Sequence, residues 1–324
     1  MLEDLLKLPL DRGPLLILTH DNPDPDSIAS AAAMQYLLSR VRNIESTVAY
    51  SGIVGRAENR AMLRLLKLPI RPLAETDLAE FAHVALVDAQ PDTGNNALPA
   101  GHIPDIVVDH HPLRQATTRS PFYDVRPELG ASATLLTEYL QEAGIEIPRD
   151  LATALLYGIR SETQDLGREV AEADRSAYQV LFPLADAQIL SAIARPRLPR
   201  AYFDQLSVAL GSLQLSGASS ICPLHEVIDP DFVPEMADLA VRMEGIQWTL
   251  AYGSFDQKLY VSIRTNDRGA NAGELMQRVL EGIGRGGGHG MRAGGNVDLS
   301  SLTTPRAELE DQIRRRFIDE TRAR

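Results

Sequence analysis

The chain has one cysteine in 324 residues, Cys222, so no internal disulfide can staple it. Aromatic residues are scarce at 5% and are not interleaved with basic ones, which excludes an extended stacking platform for single-stranded nucleic acid. Positive charge is also short, with 32 Lys and Arg against 44 Asp and Glu, a formal charge of −12. That field repels a long polyanion, so any nucleic-acid partner is expected to be short or locally gripped, and no long duplex is expected. No apolar run approaches the ~20 residues of a membrane helix. The start, "MLEDLLKLPLDRGP", lacks the basic and apolar regions of a signal peptide. A cytoplasmic protein without a membrane partner is the expectation. What the chain does have is 44% hydrophobic residues, enough for more than one core.

Short apolar runs of strand length recur at "PLLILTH" (14–20), "STVAYSG" (46–52), "HVALVDAQ" (83–90) and "DIVVDHHP" (105–112). Between and after them, residues 27–41, 57–68, 131–143 and 149–161 have helical spacing, with Asp26 or Ser27 a natural N-cap for the first. Strands alternating with amphipathic helices predict an α/β fold, a mostly parallel sheet with helices on both faces. The pattern breaks around "ARPRLPRAY" (194–202). This predicts a first domain over 1–190, a linker over 191–200 and a smaller α/β domain over 201–324. The second domain holds strand-like "QWTLAYGSF" and "KLYVSIRT", a helix, a glycine-rich segment and a charged terminal helix expected to be solvated.

In parallel sheets ligands gather outside the carboxyl ends of the strands, and His20, Asp88 and Asp109 all fall at such ends. In "HDNPDPDSIASA" (20–31), His20, Asp24 and Asp26 stand at i, i+4 and i+6 on a loop stiffened by Pro23 and Pro25. Alone, this stretch reads equally as an acidic turn capping a helix. It is joined by "VVDHHP", with Asp109, His110 and His111 consecutive, and by Asp88 of "LVDAQ". Imidazoles with carboxylates suit Mn²⁺, Fe²⁺ or Zn²⁺, and thiolate chemistry is excluded. Two divalent ions ~3.5–4 Å apart, sharing a carboxylate, would use six or seven such ligands.

These stretches, with "YGIRSETQDL" (157–166), resemble motifs one to four of the DHH-family phosphoesterases. "GRGGGHGMRAGG" (284–295) resembles the signature of their C-terminal DHHA1 domain. The likeness runs in order from about residue 14 to 299, and the short two-domain layout is similar to the nanoRNase/pAp-phosphatase branch. The resemblance implies two divalent metal ions, usually Mn²⁺. His20, Asp24 and Asp88 would hold one ion, and Asp26, Asp88, His110 and the acid of motif four the other. Where the family usually has aspartate before threonine, this chain has Glu162, which reaches one methylene further. Asp165 is an alternative acid, though a capping role suits it better. His111 would face the scissile phosphate, with Asp109 orienting the histidines. Arg264 would bind phosphate in a locally basic segment (258–292, six cations against three acids), with Gly287, Gly288 and His289 shaping the pocket.

By the same resemblance, the expected activity is hydrolysis of short oligonucleotides to mononucleotides by two-metal activation of water. Phosphatase action on 3′-phosphoadenosine 5′-phosphate and phosphodiesterase action on linear or cyclic dinucleotides are the alternatives. A catalytically degenerate nucleotide-binding module is the non-enzymatic one. A homodimer is a further expectation drawn from the family.

Overall fold

Apolar runs with nothing polar to show to water must be covered on both sides, and the first half of the chain is built around that requirement. The computed structural model describes residues 1–10, 13–73, 77–168, 170–300 and 304–322. They form two compact units, Met1–Pro196 and Arg197–Arg324.

The first unit runs α1 (Leu2–Leu6), β1 (Leu15–Leu18), α2 (Pro25–Arg42), β2 (Ser46–Tyr50), α3 (Ala57–Leu66), β3 (Ile70–Pro72), α4 (Asp77–Glu80), β4 (His83–Val87), β5 (Ile106–Asp109) and β6 (Phe122–Val125). Four helices follow: α5 (Ser132–Glu142), α6 (Arg149–Thr163), α7 (Glu172–Leu181) and α8 (Ala187–Ala194). The six strands lie in the order β3-β2-β1-β4-β5-β6, with every pairing parallel. Alternate residues of β1 serve opposite faces. Leu15 and Ile17 join a large core with α2, α5 and α6, and Leu16 and Leu18 a smaller one with Val84, Leu86 and Val107. The strand order reverses between β1 and β4. Their carboxyl-end loops therefore part and open a crevice there.

Helix α2 enters that crevice differently from the sequence expectation. Its N-cap is Asp24, not Asp26 or Ser27: the Asp24 carboxylate accepts from the Ser27 N–H at 3.0 Å. Pro25 takes the first helical position, where its missing N–H costs nothing, so Asp26 lies inside the first turn. The segment read as a linker, 191–200, begins inside α8. Asp186 starts that helix by accepting from the Gln188 and Ile189 N–H groups, and its apolar residues Leu190 and Ile193 are buried.

The second unit comprises α9 (Arg200–Ser212), β7 (Gln214–Ser216), β8 (Ser219–Glu226), α10 (Phe232–Ala240), β9 (Trp248–Phe255), β10 (Lys258–Thr265), α11 (Ala272–Leu280), β11 (Arg285–His289), β12 (Arg292–Asp298) and α12 (Arg306–Arg322). Its sheet is mixed, in the order β11-β12-β10-β9-β8-β7, with only β8 and β9 parallel. Trp248, Leu250 and Ile263 pack under α11 and α12 on one face, and Cys222 is buried with α10 residues on the other. The charged helix α12 is not solvated all round. Leu309, Ile313 and Phe317, four residues apart, form a buried stripe.

The glycine-rich segment is a β-hairpin. Its glycines let α11 close onto it: a Cβ on Gly286 would stand 2.6 Å from Met276 Cγ, and one on Gly273 would fall into the Gly288 backbone. We expect Gly273→Ala to destabilise this unit by about 1–3 kcal/mol, since backbone cannot step aside as a side chain can. Urea unfolding followed through Trp248, the chain's single tryptophan, checks this. An unchanged midpoint would contradict the close approach.

Candidate metal centre

Three strand ends supply the centre. His20 follows β1 and donates its Nδ1–H to the Asp21 carbonyl at 2.8 Å. Its Nε2 is thereby turned toward Asp24, 3.7 Å from Oδ2, and Asp88, 3.6 Å from Oδ2. His110 follows β5 and donates Nδ1–H to the Leu129 carbonyl at 3.1 Å, which sets its Nε2 3.6 Å from Asp88 Oδ1 and 4.0 Å from Asp26 Oδ2. In both rings a backbone carbonyl fixes one nitrogen and leaves the other facing carboxylates, the arrangement of metal-ligating histidines. Asp88 follows β4 in the left-handed region, φ +57°, with its N–H donating to Val108 O at 2.8 Å. A non-glycine residue held there is a constraint met at functional sites.

Two sets of ligand atoms result, each within 4.8 Å of one another: His20, Asp24 and Asp88, and Asp88, His110 and His111. Asp88 belongs to both. Asp109, the last residue of β5, is 1% exposed and accepts from His111 Nδ1 at 2.8 Å and from the His110 N–H at 2.9 Å. The nitrogen of His111 nearest Asp88 is thus already committed to Asp109.

Asp26 is fully buried, and it serves a second helix. Its two oxygens accept from the Ser132 N–H at 2.7 Å and the Ala133 N–H at 2.8 Å, in the first turn of α5. Ser132 also donates its hydroxyl to Asp88 Oδ1 at 2.8 Å, joining the two carboxylates. Gly158 of α6 faces Asp26, where an added Cβ would stand 3.1 Å from Asp26 Cα, so the absence of a side chain lets α2 and α6 close. Sequence reasoning passed over Ser132, Gly158 and the buried Gln90. The first two look like an ordinary helix start and an ordinary helical glycine.

Glu162 lies in the last turn of α6. It is outside both ligand sets, yet its charge acts on Asp26 and His110. Asp165 is paired with Arg160 at 2.5 Å, so it is no reserve ligand. In the second unit Arg264 is 9% exposed and engaged with Asp238 Oδ1 at 2.5 Å, Ser262 Oγ and the Ala293 carbonyl. It is held within the domain rather than offered as an open cation. A Cβ on Gly287 would meet nothing within 4 Å, whereas Gly288 is crowded by Arg292 and Ala293. The His289 side chain lies outside the described residues.

The electrostatics of these groups favour a cation among them. Burial and the charges of Asp88, Asp24 and Glu162 outweigh His110 and hold the Asp26 carboxyl well above the usual range. Burial, then Asp24, pushes Asp88 up to about 8 against His110 and His20. Burial opposes a charged His20, but the hydrogen bond and charge of Asp24, with the charge of Asp88, carry it to about 10. His110 reaches about 9, with Asp88 and Asp26 outweighing its burial. The ion-pair partners of Asp26 and Asp88 among the described residues are histidines. Burying carboxylates without a fixed cation costs several kcal/mol each. A divalent ion fits this donor set of imidazole nitrogens and carboxylate oxygens.

Residues 14–159 match the DHH family, N-terminal domain, and residues 215–315 the DHHA1 domain. An uncharacterized protein of Methanocaldococcus jannaschii is 35% identical over 317 residues, covering 95% of this chain and 64% of that protein. A probable manganese-dependent inorganic pyrophosphatase of Deinococcus radiodurans is 33% identical over 185 residues, 56% of this chain and 57% of its own. The chain therefore spans less than two thirds of the length of either relative. An exopolyphosphatase-related protein from Bacteroides fragilis shares the fold, with a TM-score of 0.75 over 98% of this chain and 95% of that one at 13% identity. No described helix is long and apolar enough to cross a membrane. With both domains matched in order, and the motif residues gathered at one sheet edge, the chain carries a DHH family N-terminal domain followed by a DHHA1 domain.

Proposed function

We propose that this protein hydrolyses phosphate-ester bonds of small nucleotide substrates, with two Mn²⁺ ions held around Asp88. The carrying observation is that Asp88 belongs to two ligand sets at once. His20 and Asp24 would complete one ion's shell, and Asp26, His110 and Glu162 the other's. The likeness to a probable manganese-dependent pyrophosphatase supports manganese, as does the mixed imidazole and carboxylate donor set. When bound, the ions supply Lewis acidity that activates water and neutralises phosphate oxygens.

The chain's own residues do the rest. His111 has Nδ1 held by Asp109, which orients the ring to stabilise charge on the phosphate or to protonate the leaving oxygen. No protein nucleophile is required. Cys222 is buried in the second unit's core, its thiol pushed up to about 11 by burial. In the second unit, the open face at Gly287 allows a phosphate to approach the hairpin closely. Short oligonucleotides cleaved to mononucleotides are the leading substrates, because net acidity and sparse aromatics suit a short chain. The pyrophosphatase likeness favours phosphoanhydride cleavage as the second reading.

Two outcomes follow. With Mn²⁺, a panel of di- to pentanucleotides, 3′-phosphoadenosine 5′-phosphate, dinucleotides and polyphosphate should show the highest kcat/KM for the short oligonucleotides. Asp88→Ala should reduce all hydrolysis to background. Binding without turnover by the intact protein would favour the non-catalytic module, and most activity surviving in Asp88→Ala would sink the shared-carboxylate site.

Metal affinity should also rise with pH. Without metal, Asp88, His110 and His20 hold their protons up to about 8, 9 and 10, and a cation must displace them. Lowering pH favours the protonated groups, and raising it removes the competitor. Calorimetric titration with Mn²⁺ between pH 6 and 8, the range below manganese hydroxide formation, should show tighter binding at the upper end and proton release to buffer. A flat profile would contradict the ligand set.

A further inference from the structure

We propose that Gln90 is the positioning residue that fixes the ring of His111, acting through Asp109. The inference rests on the hydrolytic reading above, and it assigns work to a residue outside the metal-ligand sets. Gln90 is 2% exposed and two residues beyond Asp88, and its side chain crosses from the end of β4 to the loop leaving β5. Its amide N–H groups donate to Asp109 Oδ2 at 2.7 Å, to the Pro112 carbonyl at 3.2 Å and, at 3.4 Å, to the backbone carbonyl of His111 itself. Its oxygen accepts from the Arg114 N–H at 2.7 Å and the Thr117 hydroxyl at 2.8 Å. Donation to a carboxylate and a carbonyl, with acceptance from an N–H and an O–H, requires an amide of this length. Glutamate would set a second carboxylate against Asp109, and leucine would leave every partner unsatisfied.

The consequence falls on one ring and not the other. The His110 ring is anchored on Leu129 O, which Gln90 does not touch, and only its backbone N–H reaches Asp109. His111 is anchored on Asp109 Oδ1, and the other oxygen of that carboxylate is held by Gln90. Gln90 therefore locks the carboxylate's rotation and, with it, the direction of the half-exposed His111 ring, which is 40% exposed. The set formed by His20, Asp24 and Asp88 is assembled without it.

The test is a double-mutant cycle with a metal-binding control. Gln90→Leu should lower kcat by roughly 10- to 100-fold, the usual cost of losing an orienting partner. KM and Mn²⁺ affinity by calorimetry should stay within about twofold. In a His111→Ala background the same substitution should cost less than about twofold, because the ring it orients is gone. Thr117→Val, which frees one side of the Gln90 amide and keeps the residue, should give a smaller loss that also vanishes in that background. In the Mg²⁺-loaded protein, ¹⁵N NMR should find His111 protonated at Nδ1, and a mixture of tautomers in Gln90→Leu. A loss of kcat that persists without His111, a parallel loss of Mn²⁺ affinity, or an unchanged His111 ring in Gln90→Leu would overturn the proposal. If the wild type hydrolyses nothing in the panel, the functional reading fails, and the NMR comparison still decides the role of Gln90.

Discussion

Two carboxylates of like charge, Asp26 and Asp88, lie buried side by side at the point where the parallel sheet reverses its strand order. Everything near them can be understood as a response to that placement. Low local dielectric makes their mutual repulsion expensive, and the pKa directions of the surrounding groups record the cost. The protein meets part of it with dipoles: the first turn of α5 gives two N–H groups to Asp26, and Ser132 gives its hydroxyl to Asp88. Two histidines, each with its far nitrogen tied to a carbonyl, meet another part. The remainder is the demand for a cation.

Packing around the pair explains residues that look featureless in the chain. Helix α2 starts at the sheet edge with Ser27, Ala29, Ser30 and Ala31 buried, and these small side chains let neighbouring helices draw close. Gly158 extends this tolerance to α6, whose last turn carries Glu162 toward the same centre. In the second unit, glycine serves the same purpose at Gly273 and Gly286, where helix and hairpin meet with no room for a Cβ. The glycine signature of that domain is thus partly a packing requirement. Arg264, to which the family resemblance gives phosphate, is held by Asp238 and by backbone carbonyls inside the domain.

Much of the architecture was legible in the chain because it rests on periodicity. Runs such as "LLIL" and "HVALV" are apolar on both alternations, which only a sheet covered on both faces can bury. The positions of His20, Asp88 and Asp109 at strand ends followed from those runs, and so did their convergence on one edge. Local chemistry was harder to read. Asp24 and Asp26 are both plausible caps by composition, and Pro25 between them decides the matter, since proline tolerates the first helical position. The glycine-rich segment lacks side chains to show strand alternation, so its pairing with β12 was invisible before the fold was seen.

The sequence by itself determined the fold class, the family motifs and the stock of imidazoles and carboxylates, because these depend on residue type and near spacing. Only the tertiary structure decided how that stock is shared. It placed Asp88 in both ligand sets and set Glu162 outside them. It gave Asp26 a second task at α5 and tied His111 to Asp109 and Gln90. Two of those ties, Gln90 to Asp109 and Ala133 to Asp26, join residues 19 and 107 positions apart in the chain, which no local pattern encodes. They exist only once the β1 and β4 loops part and the helices close around the buried charge.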